Sequence, residues 1–216
     1  MFGIGSASCS TAAVDPKTFP LPSADLKVAA DAGPQTLVVA GGCFWCTEGV
    51  FEQVDGVSDV ASGYSGGTKE HANYEAVCAG ITDHAEAIKI TYDPTKVSYG
   101  KLLKIFFSIA HNPTQLNRQG PDTGRQYRSA IFYANDDQKR VAAAYIKQID
   151  DAKVFDKPIV TTLEPLTQFY KAEGYHQDYT KLNCDNPYIA RNALPKVEKL
   201  KKYQESEAPA TQPAQR

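Results

Sequence analysis

Thr36-Leu37-Val38-Val39-Ala40-Gly41-Gly42-Cys43-Phe44-Trp45-Cys46 is the stretch on which the fold turns. Thr36 to Ala40 is short, apolar and β-branched and stops at two glycines, the pattern of a buried strand ending in a tight turn. From Cys43 to Val54, the apolar residues Phe44, Val50, Phe51 and Val54 recur at helical spacing with no Pro or Gly-Gly break. A thiol therefore sits at a helix N-terminus, where backbone N–H groups and the helix dipole favour the thiolate, the reactive form of cysteine. A buried structural cysteine is the plain alternative, since free Cys is among the most buried residue types. Phe44 and Trp45, the only tryptophan of the chain, argue instead for an apolar pocket beside the thiol, sized for a small group.

Working outward, Val57 to Tyr64 and His84 to Tyr92 read as strands. In the second, Ile88, Ile90 and Tyr92 alternate with Lys89 and Thr91, which puts Glu86 on the apolar face. Ser98 caps a helix with Leu102, Leu103, Phe106 and Phe107 on its buried side, and Asn135 caps another through Val141, Tyr145 and Ile149. Ser129 to Tyr133 and Ile159 to Leu163 are further strands. The region from Phe169 to Tyr179 reads as including a helical turn followed by extended coil, and Pro195 to Tyr203 as a terminal surface helix. This mixed order, without repeats or strict β-α-β alternation, predicts an α+β two-layer sandwich with a central mixed sheet and flanking helices. Residues 1–34 read as an irregular arm, 35–203 as one catalytic domain and 204–216 as a flexible tail.

Composition sets the boundaries. The 216 residues suffice for one domain; 42% are hydrophobic and 22% charged, as in ordinary globular proteins. The 23 basic and 25 acidic residues are mixed along the chain and leave a net charge of -2, so neither nucleic acid nor an anionic membrane is an expected partner. Five cysteines, at positions 9, 43, 46, 78 and 184, are too few and of the wrong parity for a disulfide scaffold. A monomeric cytoplasmic enzyme with reduced thiols is expected. The small-residue run ending at Cys9 is the one sign of a processed or lipidated leader.

Glu86 carries the second chemical signal. A carboxylate on the apolar face of a strand resists ionisation and is then available as a proton donor, unless it lies at a strand edge and reaches solvent.

Widely separated stretches then converge: Gly42-Cys43-Phe44-Trp45; Asn73-Tyr74-Glu75-Ala76-Val77-Cys78 with His84-Ala85-Glu86-Ala87; Asn117-Arg118-Gln119-Gly120-Pro121-Asp122 with Gln126-Tyr127-Arg128-Ser129; and Tyr175-His176-Gln177-Asp178-Tyr179. Together they resemble the peptide methionine sulfoxide reductase A family from about Leu37 to the terminal helix. The resemblance implies that Cys43 attacks the sulfoxide sulfur while Phe44 and Trp45 hold the S-methyl group. It implies that Glu86, Tyr74 and Tyr127 hydrogen-bond the oxygen, with Glu86 supplying its proton, and that Asp122 orients its neighbours. His176 is a site-shaping residue; a lone His among tyrosines is otherwise a structural group. The tyrosines have the same plain alternative, since the chain carries twelve. The implied substrate is the S epimer of methionine sulfoxide, free or in proteins, and no metal, flavin or nucleotide is required. Cys43 is left as a sulfenic acid, a second thiol condenses with it, and an external dithiol such as thioredoxin reopens the disulfide.

The second thiol has two candidates. Cys46 lies about one helical turn from Cys43, near the separation a disulfide requires. Cys184 stands near the C-terminus, where many family members keep recycling cysteines. Cys9 and Cys78 are read as bystanders. Three rival functions use the same residues: a thioredoxin-like oxidoreductase built on Cys43 and Cys46, which leaves Glu86 unexplained; a zinc module, which lacks a second close ligand pair; and a Cys-His acyl transferase, which lacks an oxyanion signal.

Overall fold

The computed structural model describes residues 14–207. In chain order the elements are β1 (Gln35–Gly41), α1 (Phe44–Phe51), β2 (Val57–Ser65), α2 (Tyr74–Cys78), β3 (Ala85–Tyr92) and α3 (Tyr99–Ile105), which widens into a π turn over Phe106–Ala110. A small hairpin, β4 (Arg118–Gln119) and β5 (Asp122–Thr123), precedes β6 (Ser129–Tyr133) and α4 (Asp136–Asp151). Then come β7 (Thr162–Pro165), β8 (Phe169–Lys171), α5 (Tyr179–Leu182), α6 (Pro187–Asn192) and α7 (Leu194–Glu207).

Six strands form one mixed sheet in the order β7-β6-β1-β3-β2-β8, in which only β6 and β7 run parallel. β1 lies near its middle, paired with β3 and β6, and side-chain alternation splits it between two cores. Leu37 and Val39 face the main core with Ile88 and Ile90 of β3, under α1 and α3. Val38 and Ala40 face a second cluster with Ala85, Ala87, Ala130 and Phe132. Glu86 shares its face with Ile88 and Ile90, as the alternation requires. The architecture is α+β, as the element order predicts.

Most helix starts follow their caps: the side chains of Ser98 and Asn135 accept the N–H groups of Lys101 and Gln138. Four details depart from expectation. The strand placed at Ile159 to Leu163 begins only at Thr162, because the Val160 N–H is taken by the carbonyl of Pro113 and that of Ile159 by Asp150. The helical turn read within Phe169 to Tyr179 forms at Gly174–His176, but Phe169 to Lys171 ahead of it pairs as an edge strand with β2, where Gly63 leaves room that a Cβ would lose 2.3 Å from the Tyr170 carbonyl oxygen. The terminal helix buries Val197, Leu200 and Tyr203 and packs against α1, so it belongs to the core layer; it also runs to Glu207, into the stretch read as tail. Helices α2, α5 and α6 are four to six residues long, too short to show a periodicity.

The described part of the arm, residues 14–34, has no helix or strand yet is pinned down. Phe19 is buried against Tyr145 and Phe155, Tyr145 donates its hydroxyl to the Pro20 carbonyl, and the Asp25 carboxylate accepts the Gly100 N–H. Cys9 lies outside the described residues. No helix among the described residues is long and apolar enough to cross a membrane.

Candidate active site

The strand-turn-helix signal resolves into a specific corner. Gly42 sits at φ 89°, where an L side chain is strained, and a Cβ there would fall 2.4 Å from Gln119. The turn drops Cys43 at the N-cap of α1 and brings the β4-β5 hairpin, with Asp122, against it. A cavity of about 190 Å³ opens here, lined by Cys43, Phe44, Trp45, Tyr74, Glu86, Asp122, Tyr127 and Tyr188. Seven of these eight are residues singled out in the sequence; Tyr188 is the one that was missed. A larger cleft, about 690 Å³, between the arm and the start of α4 contains no cysteine, histidine or tyrosine.

Glu86 is buried and accepts the Phe44 N–H at 3.0 Å through Oε2. Burial pushes its carboxyl up to about 8, against the pull of that hydrogen bond, with a smaller push from Asp122 and Cys46. It therefore holds a proton at neutral pH.

The thiols behave differently from the simple helix-terminus expectation. Cys43 makes no side-chain capping bond, and the first helical N–H goes to Glu86 rather than to its sulfur. Burial, the Cys46 thiol and the Glu86 carboxyl raise Cys43 well above its ordinary value. The hydrogen bond between the two thiols brings Cys46 down to about 7, helped by the Lys196 ammonium and the Tyr188 hydroxyl. Of this pair the first proton leaves Cys46. Cys184, by contrast, is exposed in the turn after α5, and Cys78 is exposed at the end of α2.

The aromatic wall is built from behind. Trp45 stacks on Tyr179 at 3.8 Å with planes 10° apart, a geometry worth about 0.5–1.5 kcal/mol beyond its buried area. The Trp45 indole N–H donates to His176 Nδ1 at 3.1 Å, which fixes that nitrogen as an acceptor. His176 is buried, its ring 5.0 Å from Phe44 and 4.4 Å from Tyr74, so it shapes the pocket from the second row. Glu173, which the sequence reading passed over, accepts the Tyr64 hydroxyl at 2.8 Å and the Tyr74 N–H at 2.9 Å. Burial pushes both pocket phenols, Tyr74 and Tyr127, above their ordinary range, so they remain donors. Among the described residues no group of three or more His, Cys, Asp or Glu stands together as a metal site.

The model of the peptide methionine sulfoxide reductase family matches residues 35–208. The chain is 59% identical over 169 residues to peptide methionine sulfoxide reductase MsrA 2 of Mesorhizobium japonicum, covering 78% of this chain and 87% of that one. It is 52% identical over 187 residues to MsrA 2 of Synechocystis sp., covering 86% and 87%. Among solved structures it is similar to Mxr1 from Saccharomyces cerevisiae in reduced form, at 34% identity and a TM-score of 0.65, covering 74% of this chain and 91% of that one. Methionine sulfoxide reductase A of Corynebacterium diphtheriae gives 32% and 0.61. A corner that pairs a proton-holding carboxyl with a buried thiol, in a chain with these relatives, fixes the assignment: the protein belongs to the peptide methionine sulfoxide reductase family.

Proposed function

We propose that residues 35–203 form one catalytic unit that reduces the S epimer of methionine sulfoxide, free or in proteins, to methionine, and so repairs oxidised protein. The observation that carries this reading is the shared cavity: a thiol, Cys43, and a carboxyl held protonated, Glu86, together with two phenols and two aromatic faces.

Phe44 and Trp45 take the S-methyl group, and Tyr74 and Tyr127 donate to the sulfoxide oxygen. Glu86 gives that oxygen its proton and recovers one from the Cys43 thiol as sulfur bonds to sulfur. The oxygen ends on Cys43 and methionine leaves, so a thiol and a sulfoxide become a sulfenic acid and a thioether without an outside proton. Asp122 and His176 orient the lining. Cys46 resolves the sulfenic acid, supported by its hydrogen bond to Cys43, whereas Cys184 is exposed. An external dithiol such as thioredoxin then reopens the disulfide. The enzyme is read as a monomer, and the need for reduced thiols favours the cytoplasm.

The test is incubation with each methionine sulfoxide epimer and dithiothreitol, with chromatography for methionine. Methionine from the S epimer alone is expected; turnover of the R epimer alone, or of neither, overturns the reading.

A further inference from the structure

Tyr188, the lining residue missed in the sequence, shares the cavity with Cys43 and meets the Cys46 sulfur through its hydroxyl. We propose that Tyr188 and Asp122 form a proton relay for recycling, in which Asp122 draws the Cys46 proton through the Tyr188 hydroxyl as Cys46 attacks the Cys43 sulfenic acid. This rests on Cys43 being the nucleophile.

The hydrogen bonds already point the right way. The Cys46 thiol donates to Tyr188 Oη at 3.9 Å, and Tyr188 Oη donates to Asp122 Oδ2 at 2.6 Å. Tyr188 is the one side chain hydrogen-bonded to the Asp122 carboxylate among the described residues. Its ring stands edge-on to Trp45, 6.2 Å between centroids, and its helix is started by Asn186, whose side chain accepts the Tyr188 N–H. The hydroxyl is thus placed by packing on one side and by a helix cap on the other. A phenol pushed far above its ordinary range by burial and by both cysteines does not hold a charge itself, so it passes a proton on. The groups acting on Cys46 are Cys43 on its own helix, Tyr188 from α6, Lys196 from α7 and Asp122 from the hairpin; all but Asp122 favour its thiolate.

The step balances. The Cys46 S–H bond breaks, its proton moves to Tyr188 Oη and the phenol proton moves to Asp122. The freed sulfur pair forms the S–S bond, the S–O bond of Cys43 breaks, and the departing hydroxide takes the Glu86 proton and leaves as water. Cys46 is oxidised and the Cys43 sulfur reduced, with no outside oxidant. A proton returned from Asp122 to Glu86 restores the resting pocket.

The experiment is a single turnover with enzyme in excess over the S epimer and no reductant, quenched at intervals and assayed separately for methionine and for disulfide by peptide mass spectrometry. Tyr188→Phe and Asp122→Asn should each slow disulfide formation by about tenfold at pH 6, where Cys46 is mostly a thiol, and slow it more than methionine release. In both, the lost rate should return as pH rises and Cys46 ionises unaided. Asp122→Asn carries the test if Tyr188→Phe melts early. Equal slowing of both steps, undiminished disulfide formation, or a Cys43 to Cys184 bridge overturns the relay. Absence of methionine from the wild-type protein instead overturns the reading of Cys43.

Discussion

Glu86 and Glu48 are two buried carboxylates held at the same helix, and burial pushes both upward, to about 8 and about 7. Glu86 accepts the N–H of Phe44 and lines the cavity beside Cys43. Glu48, on α1 itself, accepts the Tyr179 N–H at 3.3 Å, while its other oxygen is buried without a partner, and it does not line the cavity beside Cys43. Through Tyr179 it steadies the ring that stacks on Trp45. Displacement of two carboxyls in the same direction and by the same cause thus goes with unequal chemistry. What separates them is access to a reacting atom, which makes a raised carboxyl a pointer to function only when a cavity and a nucleophile accompany it.

The largest expected effect removes what Glu86 serves. Cys43→Ser should abolish methionine formation in the dithiothreitol assay with both carboxyls intact, because a serine hydroxyl is neither ionised near neutral pH nor nucleophilic toward sulfur. Appreciable turnover by this variant would remove the reason for distinguishing the two.

Next comes Glu86→Gln. The amide oxygen still accepts the Phe44 N–H, so the fold should persist, while the single-turnover rate of methionine formation should fall by about 10²- to 10⁴-fold. The matched Glu48→Gln rate should stay within the wild-type order of magnitude. Similar losses in both variants would break the comparison.

The pH profile sharpens it further. Because Glu86 acts in its protonated form, methionine formation in the wild type should hold through neutrality and decline by about tenfold per unit above about 8, a decline absent from Glu86→Gln. A wild-type rate that stays level to pH 10 would show that the oxygen gets its proton elsewhere.

Much of this was legible in the sequence because it is periodic. Alternation in His84 to Tyr92 was enough to turn Glu86 inward, and the Gly41-Gly42 stop was enough to put Cys43 at a helix start. What escaped is long-range or short. β8 exists because Gly63, over a hundred residues earlier, leaves room for its backbone. Tyr188 sits on a six-residue helix whose Asn186-Pro187 start is a readable cap signal, yet nothing local says that its hydroxyl meets Asp122. The state of the thiols escaped for a related reason: the helix-terminus rule describes Cys43 alone, whereas Glu86 takes the N–H and Cys46 takes the first negative charge.

The smallest effect is on stability and isolates Glu48. Its folded value, about 7, lies above the roughly 4.3 of an unfolded glutamate, so the folded state binds its proton more tightly. The stability it contributes is therefore fully present below about pH 4.3 and is lost as pH rises through about 7. Glutamine at this position stays neutral and keeps an acceptor for the Tyr179 N–H. Urea unfolding of Glu48→Gln should accordingly lose less stability than the wild type between pH 4 and 8, the difference being on the order of 1–3 kcal/mol. Glu86 and Glu52 titrate upward too, so the informative quantity is the difference between the two curves rather than either slope. Parallel curves would mean that Glu48 ionises in the folded protein as easily as in the unfolded chain. Its burial against Tyr179 would then carry no electrostatic cost, and the likeness between the two carboxyls would vanish.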